Sequence, residues 1–268
     1  MDVVNKTVLL TGATGGIGQE MASQLASKGA TLILVGRDIL SLQSLADRLY
    51  GDGHQCWSAD FLNDEKFRLF LEKANQYAAQ HGIDIVINNA GCQSLNMLKD
   101  QSELDIERQV RLNISVPVRF CQEILHWAVQ PAMIVNIGSV LGAIGMSGYS
   151  VYCATKAALY RFSESLQREL NDQALQVLYV GPRATNTPLN DHRARVLQQR
   201  LRQKVDEPSW VASQVIRSIT RETPVKWLGW PERLLVLLNQ LCPQMVGRAL
   251  AKQLPLVRHY LMDQESEV

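Results

Sequence analysis

The chain is predicted to fold as an α/β protein, a doubly wound parallel sheet with helices on both faces. Two observations predict it. Short β-branched and apolar runs alternate with longer stretches of helical periodicity, and those runs are continuously apolar rather than alternating. Continuous apolarity is expected of strands covered on both faces, as in βαβ units. The 268 residues, 46% hydrophobic and 20% charged, suffice for one sizeable core.

The elements follow in order. Thr7–Thr11 reads as a strand, then a glycine-rich turn leads into a helix over 18–28. A second buried run at 32–35 precedes apolar residues at helical spacing over 39–49. Residues 54–59 form a weaker third strand, followed by a helix over 65–81. Further short apolar runs at 83–87, 133–137 and 177–180 sit between helical segments. In such a sheet, ligands are expected beyond the carboxyl ends of the strands.

Composition excludes several classes. Twenty-seven basic against 26 acidic residues leave a formal charge of +1, so no global field points to nucleic acid. Five scattered cysteines (Cys56, Cys92, Cys121, Cys153, Cys242) contain no CxxC pair, which argues against a disulfide framework and a thiolate metal site. The N-terminus lacks a signal-peptide pattern, and no window approaches the ~18 apolar residues of a spanning helix. A reducing, cytoplasmic setting is therefore expected.

The turn Thr11-Gly12-Ala13-Thr14-Gly15-Gly16-Ile17-Gly18 fits TGxxxGxG rather than GxGxxG. A phosphate site here needs a tight turn, close backbone approach and free N–H groups at a helix start. Its place after the first strand favours dinucleotide binding over an ordinary strand–helix loop. The second strand ends Val35-Gly36-Arg37-Asp38. A carboxylate at this point suits a ribose 2′-hydroxyl, whereas an arginine suits a 2′-phosphate. Gly36 and Arg37 favour NADP(H) over NAD. Asp38 opposes that choice if the strand ends one residue later.

Tyr152 and Lys156 stand four residues apart at the start of a helix running to about Leu170, so phenol and ammonium share one face. A nearby cation lowers a phenol pKa from about 10, toward proton exchange with an alcohol or ketone. Tyr149 lacks a lysine at that spacing, and Tyr160 follows Lys156 instead of preceding it. Ser139 lies just past a strand, Asn88-Asn89-Ala90-Gly91 follows the fourth, and Asn113 lies in a helical run, where most asparagines face solvent.

Together Thr11–Gly18, Asp60, Asn88–Gly91, Asn113, Ser139, Tyr152 and Lys156 resemble the short-chain dehydrogenase/reductase family, over about residues 5–221. The resemblance implies a Rossmann-like fold that binds NADP(H). It implies Tyr152 as general acid or base, Lys156 on the nicotinamide ribose, Ser139 on the substrate oxygen and Asn113 behind Lys156 in a proton relay. It implies Asp60 near the adenine and Asn89 lining the cofactor cleft. Gly12, Thr14, Gly15, Gly16, Ile17, Gly18, Ala90 and Gly91 complete the cofactor site, without a metal. The family's PGxxxT appears as Pro182-Arg183-Ala184-Thr185-Asn186-Thr187, so Thr187 fits while Arg183 replaces the glycine. Arg183 either reaches cofactor or substrate or faces solvent.

One domain is expected over 1–228, with a substrate lid at 188–206 and a helical extension over 229–268. The lid carries Arg193, Arg195, Arg200, Arg202 and Lys204 against Asp191 and Asp206. It reads as a solvated amphipathic helix with Val196, Leu197 and Leu201 inward, or as an attractor of anionic substrates. In the extension, Arg233–Leu238 precedes a break at Pro243 and a helical pattern over 244–261, with Arg248, Lys252 and Arg258 adding charge and Asp263, Glu265 and Glu267 opposing it. Docking on the core or on a partner subunit is the expected fate of its apolar face, with peripheral membrane contact through 229–262 the second reading. The expected function is reversible ketone–alcohol interconversion on a hydrophobic or lipid-like substrate, in a homodimer or homotetramer. A nucleotide-sugar epimerase or dehydratase, and a nucleotide-sensing or lipid-surface protein without enzymatic activity, are the alternatives.

Overall fold

A computed structural model describes residues 1–127 and 131–262. Seven parallel strands, β1 (Thr7–Thr11), β2 (Thr31–Gly36), β3 (Gln55–Ser58), β4 (Ile85–Asn88), β5 (Met133–Ile137), β6 (Gln176–Gly181) and β7 (Val225–Trp227), form one sheet in the order β3-β2-β1-β4-β5-β6-β7. The chain reverses winding between β1 and β4, where β1 is flanked by β2 and β4. That is the crevice where a doubly wound sheet takes its ligand. The three residues of β7 were not legible as a strand, since Val225-Lys226-Trp227 offers no apolar run.

The intervening helices are α1 (Gly16–Ala26), α2 (Ile39–Ala46), α3 (Asp64–His81), α4 (Glu103–Val110), α5 (Val116–Leu125), α6 (Ser150–Glu169), α7 (His192–Arg200) and α8 (Pro208–Thr220). The extension adds α9 (Trp230–Leu241), α10 (Pro243–Ala251) and α11 (Leu254–Met262). One core layer packs α1 and α8 on the sheet through Leu10, Leu25, Leu34 and Val215. The other packs α3 and α5 through Phe67, Phe70, Phe120 and Ile134. Strands buried on both faces explain the continuous apolar runs.

Three expectations need correction. The run around Asn113 is not a regular helix: residues Arg111–Ser115 form a π-turn between α4 and α5, which re-aims Asn113 into the interior, where it is buried. The lid is helical only over α7, which Asp191 caps by accepting from the Ala194 N–H at 2.7 Å. The single helical pattern over 244–261 is two helices, because Pro255 carries no N–H to continue α10 and settles instead in the first turn of α11. The acidic end at Asp263, Glu265 and Glu267 lies outside the described residues.

Candidate active site

The glycine turn is built for close approach. Gly12 adopts φ +64°, and a Cβ there would stand 2.9 Å from Ala90 Cα. Asn89 Nδ2 donates to the carbonyls of Thr11 and Gly12 at 3.1 and 3.0 Å, pinning the turn to the end of β4. Helix α1, with Gly15 at its N-cap, has no side-chain cap and no acid in its first turn, so its leading N–H groups are left without a capping side chain. Gly12, Thr14, Gly15, Gly16 and Ile17 line one wall of a cavity of about 520 Å³. Arg37, Asp60, Asn89, Ala90, Gly91 and Thr187 line the rest of the predicted set. Gly18 does not line it: the residue packs beneath the turn, where a Cβ would overlap the Gly12 carbonyl.

The charge at the end of β2 is resolved by capping. The Asp38 carboxylate accepts from the Leu40 and Ser41 N–H groups, both at 3.2 Å, and from the Ser41 hydroxyl at 2.5 Å. These bonds, the hydroxyl's foremost, hold its pKa below the ordinary carboxylate value. Asp38 is thus occupied as the N-cap of α2, leaving Arg37 to face the cavity.

A second cavity, about 470 Å³, adjoins the first and shares Asn89, Gly91 and Thr187 with it. Ser139, Tyr152, Lys156 and Pro182 line it, with Leu141, Ile144, Met146 and Leu201 as apolar walls. Burial of the Tyr152 ring holds its pKa above normal, outweighing the lowering exerted by the neighbouring Ser139 hydroxyl. The Lys156 ammonium donates to the Ile137 carbonyl at 3.0 Å and lies 5.8 Å from the Tyr152 ring centre. Burial pushes its own pKa down to about 8. In the protein alone, the expected lowering of the tyrosine by the lysine is therefore not in force; desolvation wins.

Asn113 stands behind this pair. Its carboxamide accepts from the Cys92 N–H at 2.9 Å and donates to the Cys92 carbonyl at 2.8 Å and to Thr155 Oγ1 at 3.1 Å. Both ends of the amide are engaged, so the side chain fixes the Gly91–Cys92 backbone opposite Lys156. The rival tyrosines are sorted by packing. Tyr149 is buried edge-on against Tyr152, and Tyr160 packs tilted against Tyr179 and edge-on against Trp227.

Tyr179 escaped the sequence reading, and so did the partners of Arg183. Tyr179 is fully buried, and its phenol grips the Ser139 backbone at both N–H and carbonyl, 3.1 Å each. Its only sequence signal is a phenol inside an apolar strand. Arg183 neither faces solvent nor remains free: it makes a two-armed ion pair with Asp206 at 2.8 and 2.7 Å and a third bond to Glu232 at 2.7 Å. The side chains of Arg183 and Asp206 are only 6% and 8% exposed. One guanidinium thus joins the loop after β6, the end of the lid and the first turn of α9, all of which border the second cavity.

The extension docks as expected of an apolar helix face, and it docks at the site. Val257 and Leu261 of α11 are buried against Tyr149, Tyr152 and Leu95. Leu235 and Leu250, from α9 and α10, wall the second cavity. In the lid, Leu197 is buried while Arg195 and Arg200 face outward, the solvated arrangement, whereas Arg202 and Lys204 border the cavity. No group of three or more metal-ligating side chains occurs among the described residues.

Comparison with known proteins agrees with this geometry. Nodulation protein G of Rhizobium sp. (strain N33) is 31% identical over 192 residues, 71% of this chain and 77% of that protein. The 3-oxoacyl-(acyl-carrier-protein) reductase FabG of Aquifex aeolicus is 29% identical, covering 90% and 92%. Among solved structures, a short-chain dehydrogenase from Sphingobium yanoikuyae in complex with NADPH superposes with a TM-score of 0.76 at 30% identity, over 90% of this chain and 95% of that one. A family model described as short chain dehydrogenase matches residues 6–197. The chain therefore belongs to the short-chain dehydrogenase family of oxidoreductases, and its glycine turn and paired cavities form the candidate site.

Proposed function

We propose that the protein is an NADP(H)-dependent carbonyl reductase or alcohol dehydrogenase acting on a hydrophobic, lipid-like ketone or secondary alcohol, with Tyr152 as the proton donor or acceptor. The observation that carries this reading is Ser139, Tyr152 and Lys156 lining one cavity, with Leu141, Ile144, Leu235 and Leu250 in its walls, that adjoins a glycine-walled cleft.

The first cavity fits a dinucleotide. Uncapped N–H groups of α1 suit a pyrophosphate, and Arg37, freed from Asp38, suits a 2′-phosphate. The Sphingobium relative's complex with NADPH supports that preference. Bound there, the nicotinamide would supply the hydride. This chain's residues manage the oxygen and the proton. Ser139 hydrogen-bonds the substrate oxygen and holds it toward Tyr152. Tyr152, whose raised pKa keeps its proton on at neutral pH, is poised for the reduction direction. Lys156 places a cation behind the phenol, and Asn113 braces the backbone facing that cation.

The apolar walls Leu141, Ile144, Leu235 and Leu250 support a hydrophobic substrate. A homodimer or homotetramer in a reducing, cytoplasmic setting is part of the same proposal, checked by sedimentation velocity and cell fractionation. The family match favours this reading over the sugar epimerase and the sensor. An NADPH-consumption screen over short ketones, steroids and long-chain 3-oxoacyl compounds tests it. Turnover concentrated in the long-chain set is expected; no turnover anywhere would refute it.

A further inference from the structure

The outer surface of α9 and α10 carries features that hydride transfer does not use. Helix α9 has two faces. Val236 is buried and Leu235 lines the second cavity, whereas Trp230, Leu234, Leu237 and Leu241, at spacings of four, three and four, face away from the core. Trp230 is 75%, Leu237 49% and Leu241 69% exposed, and Met245 continues the row into α10. Single exposed apolar residues are ordinary, but five on successive turns make a patch that calls for a partner.

The charges around the row have one sign. Arg217 of α8, Arg221 just past its end and Arg233 of α9 cluster closely enough around Lys226 of β7 that, after burial, their repulsion lowers its pKa. Arg248 and Lys252 flank the row on α10, both exposed. Among the described residues, Arg217, Arg221, Arg233, Arg248 and Lys252 have no carboxylate within ion-pair distance. The one acid of α9 and α10, Glu232, is held inward by Arg183.

This combination chooses between partners. A two-fold contact with a second copy would set the cationic cluster against surfaces of its own kind. Among the described residues no single helix is long and apolar enough to span a bilayer; α9 and α10 have the length and composition of a span only when taken together, and they are bent by 120°. A tryptophan, a row of leucines and flanking cations suit a helix lying in the headgroup region, with apolar side chains entering the acyl boundary and cations meeting lipid phosphates. We propose that the α9–α10 surface docks the protein on an anionic phospholipid bilayer. Because the opposite face of α9 walls the second cavity, docking brings that cavity to the membrane surface. The inference does not depend on the hydride-transfer reading, so either can fail alone.

Co-sedimentation of the full-length protein with vesicles tests it. Binding to phosphatidylcholine vesicles containing about one third phosphatidylglycerol is expected to exceed binding to pure phosphatidylcholine by roughly tenfold or more, and to weaken with salt. The L237D/L241D double variant should lose on the order of tenfold in bound fraction, with circular dichroism and thermal midpoint unchanged. R217E/R221E should lose the preference for anionic lipid. Equal binding to both vesicle types, or undiminished binding by folded L237D/L241D, would overturn the proposal. So would a dimer that the leucine substitutions dissociate and anionic vesicles do not, because the face would then belong to a second copy. Should the variants misfold, the lipid and salt dependence of the native protein decides alone.

Discussion

The Tyr179 phenol holds both backbone polar groups of Ser139, accepting from its N–H and donating to its carbonyl at 3.1 Å each. The ring reaches across from β6 only because Gly138 and Gly142 have no side chains; a Cβ on Gly138 would overlap the phenol. Tyr160 and Trp227 close around it with ring centres 5.0 and 5.2 Å away, so the tyrosine has little freedom to move. Tyr179 is thereby a positioning residue for Ser139.

Tyr179→Phe removes both bonds and leaves the packing. A fall in kcat of about tenfold is expected, of the order of one lost hydrogen bond to a working group, with the cofactor KM unchanged. Ser139 lowers the Tyr152 pKa, so its displacement should move the tyrosine limb of the pH–rate profile upward. An unchanged profile with reduced stability would make Tyr179 a packing residue only.

Arg183 ties three cavity-bordering segments through Asp206 and Glu232. Arg183→Gly, which restores the family's residue, leaves Asp206 buried without its cation. A loss of roughly 3–5 kcal/mol in denaturant unfolding is expected, as for other broken buried pairs. R183G/D206S should recover part of that loss, because the orphaned charge is gone. Equal stability of R183G and the native protein would show that the ion pair contributes nothing.

Lys156 is fully charged at neutral pH only at a cost, since burial takes its pKa down to about 8 from 10.5. Between these values the unfolded chain binds more protons than the folded one, so this group makes stability rise with pH from about 8 toward 10.5. Below about 8 the full cost is present. Lys156→Met should therefore raise unfolding stability at pH 7 by roughly 1–3 kcal/mol while abolishing turnover. A destabilised variant would show that the bond to Ile137 outweighs desolvation.

Arg37 and Asp38 make opposite predictions. Arg37→Ala should raise the KM for NADPH far more than that for NADH, because the cation serves the 2′-phosphate. Asp38→Ala should leave the cofactor ratio unchanged and lower stability as a lost helix cap. Equal losses for both cofactors with Arg37→Ala would remove the NADP(H) preference.

Six of the seven strands were legible because burial on both faces writes itself as continuous apolarity; the glycine turn and the Tyr152–Lys156 spacing were legible because each is local in sequence. What escaped depends on distant partners. Asp38 can be recognised as a cap only once β2 is known to end at Gly36. Arg183 reads either as solvent-facing or as reaching cofactor or substrate until Asp206 and Glu232, 23 and 49 residues away, are brought to it. Val257 and Leu261 announce a buried face but not that Tyr149 and Tyr152 are what they bury against. Asn113 reads as an ordinary helical residue because a π-turn has no periodicity of its own.

The central claim, that Tyr152 delivers the proton in an NADPH-dependent reduction, is tested most directly by comparing native protein with Tyr152→Phe. NADPH oxidation with the best carbonyl of the substrate screen is measured beside NADPH binding by fluorescence. Turnover is expected to fall by about a thousandfold with NADPH affinity unchanged. Turnover within a few-fold of native would contradict the claim.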